Sequence, residues 1–344
     1  MTQRREDSCR VAIAGASTLR GKELKQTLED RKFPVTDFVL LDESLPAGTL
    51  AEAGGEPTFI RALDEESFSA VRFAFFAGCV DEALHGWKSA RQAGATVIDL
   101  TGGLAKLPNA FAWIPSLSRL LPPPGSELPG LARGEAVYSS PVPGVMIAVS
   151  VVAALRLLSP SRVVLQLFLP VSEHGQAGID ELESQTADLL SFRPMSKRIF
   201  DAQAAFNLLY AYGEASRSKL LEIRSGIADG TAGYLAGRAP EPAVQIVQAP
   251  VFYGYTFSAY AEFPAPRDPH EIEAAAAAAG MKVADGGESP NAVSVASEDA
   301  IQLAPASRDL NVPTGVWLWG AVDNLRLAAS NAVQIAEELL VVPA

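Results

Sequence analysis

Arg10-Val-Ala-Ile-Ala-Gly15-Ala-Ser-Thr18-Leu-Arg-Gly21 is the stretch that decides the fold. Its apolar run reads as a buried strand, and the glycine that closes it gives the chain a tight turn into a helix. Working outward, residues 22–31 read as that helix and Phe38-Val-Leu-Leu-Asp42 as a second strand. Val71-Arg-Phe-Ala-Phe-Phe-Ala77 is a third strand, residues 81–93 a helix, and Thr96-Val-Ile-Asp-Leu100 a fourth strand introduced by Ala93-Gly94. Strand, helix and strand at this spacing require right-handed crossovers, hence an α/β fold with a mostly parallel, doubly wound sheet. Leu121-Pro-Pro-Pro-Gly125 is then a surface loop.

The texture changes after that loop. Residues 145–158 read as a buried helix entered through Pro143-Gly144, and residues 162–169, 243–252 and 256–263 alternate as strands of a mixed or antiparallel sheet with one covered face. An alanine-rich helix over 271–279 and a long closing helix over 324–340 complete an α+β region. No period of 20–50 residues repeats, which excludes a solenoid. The expected organisation is a nucleotide-binding domain over 1–140, an α+β domain over 141–320, and a C-terminal helix over 321–344 returning to the first domain.

The chain has 344 residues, with 28 Lys and Arg against 40 Asp and Glu, a net charge of −12. That sign argues against nucleic acid or an anionic membrane as partner. Two cysteines, Cys9 and Cys79, make neither a disulfide framework nor a zinc cluster. The first ten residues are polar, unlike a secretory signal. The longest apolar run, 145–155, is 11 residues, where a spanning helix needs about 20. A cytoplasmic protein is expected.

The glycine turn after the first strand, with Ser17, Thr18 and Gly78, is the candidate dinucleotide loop. Glycine there lets a pyrophosphate approach the backbone at a helix N-terminus. Thr18 stands at the middle glycine position, so the fingerprint is incomplete, and a plain strand–helix turn explains it equally well. Asp42 and Glu43 end the second strand, about 20 residues on, where a carboxylate bonds a ribose diol and repels a 2′-phosphate; NAD is favoured over NADP. Two solvated loop acids are the bland alternative. Cys79 is a thiol ahead of a helix, or simply packing at that junction. Ser139 and Ser140 are candidate nucleophiles that need a base, and His174 is the histidine available to them. His85 and His270 read as surface residues, and Trp317-Leu-Trp319 as strand aromatics of a core or interface.

The chain resembles the aspartate-semialdehyde dehydrogenase family over nearly its whole length. The resemblance is carried by Ala14-Gly15-Ala16, Phe33-Pro34-Val35, Phe75-Phe76-Ala77-Gly78, Gly94-Ala95-Thr96-Val97-Ile98-Asp99, residues 171–182, Ala205-Phe206-Asn207, Ala249-Pro250-Val251-Phe252, Val322-Asp323-Asn324-Leu325-Arg326 and residues 331–337. It implies a Rossmann-type sheet, a second α+β dimerisation domain, the C-terminal helix on the first domain, and a homodimer or homotetramer. It also implies reduction of an acyl phosphate through a thioester, which needs a thiolate at a helix N-terminus, an imidazole, an arginine for the substrate carboxylate and another for phosphate. By that resemblance the cysteine position falls on Met146, the histidine on Tyr255, the carboxylate arginine on Gln248, the phosphate arginine on Ala105 beside Lys106, and the 2′-phosphate arginine on Leu45. Asn324, Ser172 and Lys219, the last beside Ser216, match cofactor-side and phosphate-side residues, although Asn324 also stands where a helix cap would. The expectation is a non-catalytic or re-purposed dimeric paralogue still able to hold NAD or NADP. The alternative is an active NAD(P)-dependent oxidoreductase with altered residues.

Overall fold

The structure is a computed structural model, and it describes residues 8–43, 49–53, 56–124 and 136–341. The chain divides into two compact units. One holds Met1–Ser118, Pro123–Val142 and Ala328–Ala344, and the other holds Arg119–Pro122 and Pro143–Leu327. The exchanges at 142/143 and 327/328 stand beside sequence boundaries placed at 140 and 320.

In the first unit the elements are β1 (Cys9–Ala14), α1 (Leu19–Asp30), β2 (Val35–Leu41), β3 (Thr49–Ala53), β4 (Glu56–Ile60), β5 (Phe73–Phe76), α2 (Val80–Gln92), β6 (Thr96–Asp99), β7 (Ala110–Ala112) and β8 (Val137–Ser139). Six strands form one sheet in the order β2-β1-β5-β6-β8-β7, every neighbour parallel, and β3 and β4 pair separately as antiparallel strands. Both faces of the sheet are covered, and the alternation within each strand shows it. Val11, Ile13, Phe73, Phe75 and Ile98 pack with Leu24 and Leu28 of α1 and with Ala329, Ala332, Val333 and Ala336 of the C-terminal helix, Asn324–Val341. Ala12, Ala14, Ala74, Phe76 and Val97 pack on the opposite face with Ala83, Trp87 and Ala90 of α2. Each fully buried Phe or Ile contributes about 1.5–3 kcal/mol by leaving water. Arg31 pins the C-terminal helix by donating Nε and Nη2 to the two carboxylate oxygens of Glu337, at 3.1 and 2.6 Å.

The second unit carries α3 (Pro143–Leu155), β9 (Arg162–Leu169), α4 (Gly175–Leu190), α5 (Leu220–Leu235), β10 (Ala243–Gln248), β11 (Tyr255–Glu262), α6 (Pro269–Ala278), β12 (Lys282–Val283), β13 (Gln302–Leu303), β14 (Ser307–Arg308) and β15 (Gly315–Val322). The sheet is mixed, in the order β10-β9-β11-β15-β13-β12 with β14 on β15. β10 runs parallel to β9, whereas β9, β11 and β15 pair antiparallel. All thirteen residues of α3 are buried, because it is wrapped by β9, α5 and α6. Its contact with α5 is close through glycine: a Cβ at Gly144 would lie 2.6 Å from Ile227, and one at Gly230 would lie 2.8 Å from Val145. The opposite face of the sheet keeps Phe168, Tyr260, Trp317 and Trp319 partly exposed, with Tyr260 and Trp317 rings 4.9 Å apart. Among the described residues no helix is long and apolar enough to cross a membrane.

Candidate functional site

In the first unit β1 delivers Gly15 with a φ of +78°, a conformation glycine adopts without strain. A Cβ at 15 would stand 2.2 Å from the Cα of Gly78, so the turn after β1 and the loop after β5 meet backbone to backbone. Thr18 is the N-cap of α1: its hydroxyl accepts from the Gly21 amide at 3.0 Å and shares its proton between the carbonyls of Gly15, at 2.8 Å, and Ala77, at 3.1 Å. The departure from the glycine fingerprint is therefore a tie between two strand ends rather than a lost turn. Asp42 is 3% exposed, and its carboxylate accepts from the amide and hydroxyl of Ser17. Glu43 is exposed and lies 3.5 Å from His85, itself on the surface of α2. Leu45 lies outside the described residues.

Cys79 is exposed and serves as the N-cap of α2, its Sγ accepting from the Glu82 amide at 3.4 Å. Glu82 escaped the sequence reading. It is 4% exposed, and its Oε2 lies 1.6 Å from where a Cβ on Gly78 would be. The Gly15 and Glu43 amides face its carboxylate, but burial and the Asp42 charge push its acid up to about 7. A signal existed, an acid in the first helical turn after Gly78-Cys79, but the helix dipole alone favours an acid there. Gly15, Ser17, Thr18 and Gly78 fit a dinucleotide, since a glycine-lined turn against a helix N-terminus is what a pyrophosphate needs.

In the second unit a buried polar cluster gathers at the ends of β10 and β11. Gln248 is fully buried; its amide donates to the carbonyls of Leu169, at 2.7 Å, and Ala249, at 3.1 Å, and its Oε1 accepts from Tyr212 at 2.7 Å. His174 Nε2 meets the same tyrosine oxygen at 2.9 Å, and its ring stands against Phe200 at 5.0 Å. Burial drives the His174 imidazole down to about 4, so it is neutral at physiological pH. Tyr255, 1% exposed, hydrogen-bonds Glu173; burial first, then that carboxylate, lift its phenol well above the ordinary range. Asn324 gives its amide to Ser172 and Glu173, both at 3.1 Å, and its Oδ1 accepts from Gly254 at 3.0 Å. The capping role open to Asn324 is corrected here: Asp323 takes it, accepting from the amides of Leu325 and Arg326 at 3.0 Å.

Met146 is the fourth residue of α3 and 1% exposed. Ser139 and Ser140 are buried in the first unit, where Ser140 accepts from Asn331 at 3.0 Å and approaches the Ala328 carbonyl at 3.4 Å. His174 is engaged in the second unit, by Tyr212. Lys219 is spent on the carbonyls of Gly213 and Glu214, at 3.2 and 2.8 Å, and Ser216 on those of Ile199 and Ser218. Ala105 and Lys106 are exposed on the loop after β6. His270 is exposed and pairs with Glu273 at 2.9 Å.

Comparison with known proteins places this arrangement. Residues 10–120 match the family described as semialdehyde dehydrogenase, NAD binding domain, and residues 152–327 match semialdehyde dehydrogenase, dimerisation domain. The chain belongs to the semialdehyde dehydrogenase family. It is 30% identical over 342 residues to the USG-1 protein homolog of Pseudomonas aeruginosa, spanning 96% of this chain and 97% of that one. It is 26% identical over 346 residues to aspartate-semialdehyde dehydrogenase 2 of Vibrio cholerae, with the same coverage of 96% and 97%. The solved structure of a probable aspartate-semialdehyde dehydrogenase from Pseudomonas aeruginosa superposes with a TM-score of 0.83 at 30% identity, over 97% of this chain and 99% of that one. The semialdehyde dehydrogenase family thus accounts for both units: a parallel-sheet NAD-binding domain and a mixed-sheet dimerisation domain.

Proposed function

We propose that this chain is a dimeric, non-catalytic member of the semialdehyde dehydrogenase family that keeps a dinucleotide cradle. The observation that carries the reading is the state of the second-unit cluster. Where the resemblance calls for thiol, imidazole and guanidinium stand Met146, Tyr255 and Gln248, each buried to 1% exposure or less. Thioester chemistry needs a thiolate and a base whose pKa lies near neutrality. A thioether is no such nucleophile, and Tyr255 holds its proton far above neutral pH. His174, neutral down to about pH 4, is bonded to the Tyr212 phenol, whose proton goes to Gln248, rather than to Ser139 or Ser140.

The cradle is the part that supports ligand binding. Gly15, Ser17, Thr18, Gly78 and the N-terminus of α1 would hold a pyrophosphate, and a bound nicotinamide dinucleotide would supply a hydride donor or acceptor. The partly exposed aromatic face of β9, β11 and β15 supports pairing of two copies through the second unit. Two assays test the reading together. Calorimetric titration with NAD, NADP and their reduced forms should give binding, while phosphate-dependent oxidation of aspartate semialdehyde should stay at the uncatalysed background. Turnover would overturn the non-catalytic reading in favour of an oxidoreductase with altered residues. Absence of binding at millimolar dinucleotide would overturn the cradle.

A further inference from the structure

We propose that Glu82 sets the nucleotide specificity of the glycine cradle, accepting from an unphosphorylated ribose and excluding one that carries a phosphate. The inference rests on the reading that the cradle takes a dinucleotide. Glu82 is 4% exposed, and its Oε1 is buried without a hydrogen-bond partner. An ionisable group in that state is uncommon, because a buried oxygen left unpaired forfeits its hydration. The carboxylate lies against the turn: its Oε2 occupies the space a side chain on Gly78 would fill, and Gly78 in turn touches Gly15. A hydroxyl donor arriving at this turn would meet a free acceptor.

The residue that ordinarily does this work is the acid at the end of β2. Here Asp42 is already committed to the amide and hydroxyl of Ser17. Glu82 stands in for it from another element, at the start of α2, held by the Cys79 cap on its amide. The charges around it are one-sided. Asp42 and Glu43 face it from the end of β2, the Gly15 turn brings only amides, and the His85 ring on α2 lies 3.5 Å from Glu43. The pyrophosphate is offset by the amides of the turn and the N-terminus of α1, whereas a further phosphate on the ribose would add charge beside these carboxylates with no such offset, and a diol would not.

The test is titration of NADH and NADPH, followed by nucleotide fluorescence, into the wild type and Glu82→Gln at pH 6 and pH 8. The wild type should bind NADH at least tenfold more tightly than NADPH at pH 8. That preference should shrink several-fold at pH 6, as Glu82 takes up a proton, and Glu82→Gln should show the shrunken preference at both pH values. His85→Gln should keep the pH response, which separates Glu82 from the imidazole beside Glu43. A preference that ignores pH in the wild type, or that survives unchanged in Glu82→Gln, overturns the role of Glu82 and leaves the cradle standing. Failure of every form to bind either nucleotide overturns the cradle and the role of Glu82 with it.

Discussion

The hydroxyl of Tyr212 lies 2.7 Å from Oε1 of Gln248, and that bond sets the proton positions along Gln248, Tyr212 and His174. Gln248 must present its oxygen, because its NH2 is consumed by the Leu169 and Ala249 carbonyls. The single tyrosine proton therefore goes to Gln248, and the tyrosine oxygen is left to accept from His174. His174 then carries its proton on Nε2 and uses it internally. A neutral amide stands where the family resemblance calls for a guanidinium, and the neighbouring histidine is kept neutral to match.

Tyr212→Phe should cost stability without disturbing the fold. The change leaves the Gln248 oxygen and the His174 N–H buried and unpaired, and each such loss costs about 1–3 kcal/mol. Urea denaturation followed by circular dichroism should show a lowered midpoint with an unchanged slope. A midpoint within error of the wild type would mean that water or a rotated His174 repairs the gap.

Acid stability should follow His174. Its imidazole titrates near 4 in the folded protein against an ordinary 6.5, so between those values the unfolded chain binds a proton that the native one refuses. Stability from this group therefore falls as pH drops from 6.5 towards 4 and is flat above. His174→Gln should make the melting temperature decline less steeply over that window. An unchanged slope would exonerate His174.

Glu82 runs the other way. Its acid is raised from 4.5 to about 7, so the native state holds a proton that the unfolded state has lost, and stability falls as pH rises from 4.5 through 7. Glu82→Gln should gain melting temperature relative to the wild type at pH 8 and little at pH 4.5. Equal shifts at both values would show that burial, not ionisation, governs the site.

The parallel sheet was legible because its strands are short apolar runs separated by helix-length segments with glycine at the turns. β7 and β8 were not, since three residues apiece carry no periodicity. α5 was hidden by Gly226, Gly230 and Gly233, which lower helix propensity locally. It forms because Gly144 and Gly230 let α3 and α5 approach closely enough to interlock with Ile227 and Val145. At the site, residue types at family positions could be read from sequence, but hydrogen-bond partners could not. Asn324 turns to Ser172, Glu173 and Gly254 and leaves the helix cap to Asp323, and Glu82 lies beside Gly15 and Asp42, because of geometry between elements distant in the chain.

The exposed aromatic face of the second unit should mediate self-association. Trp317 and Trp319 are 42% and 38% exposed on β15, and the Phe168 ring lies tilted beside Trp319 with centroids 6.2 Å apart. Large exposed aromatics grouped on one sheet face mark an interface, and this unit matches the family's dimerisation domain. Trp317→Lys with Phe168→Glu should shift the protein to monomer in light scattering. A wild type that is already monomeric at micromolar concentration would dispose of the idea.

Restoring the nucleophile alone should not restore chemistry. Met146→Cys places a thiol on a helix with all thirteen residues buried, and burial in apolar surroundings raises a thiol's pKa. The base is still missing, because Tyr255 keeps its proton and remains bonded to Glu173. Adding Tyr255→His frees that carboxylate and supplies an imidazole, yet Gln248 still offers a substrate carboxylate no charge. Gln248→Arg in turn buries a guanidinium where the Leu169 and Ala249 carbonyls accept an amide, and should lower stability by several kcal/mol, on the order of a buried unpaired charge. The expected series is therefore no phosphate-dependent NADP reduction in Met146→Cys, none above trace in Met146→Cys with Tyr255→His, and a destabilised protein on adding Gln248→Arg. Clear turnover in the single variant would mean that the pocket is complete but for its sulfur.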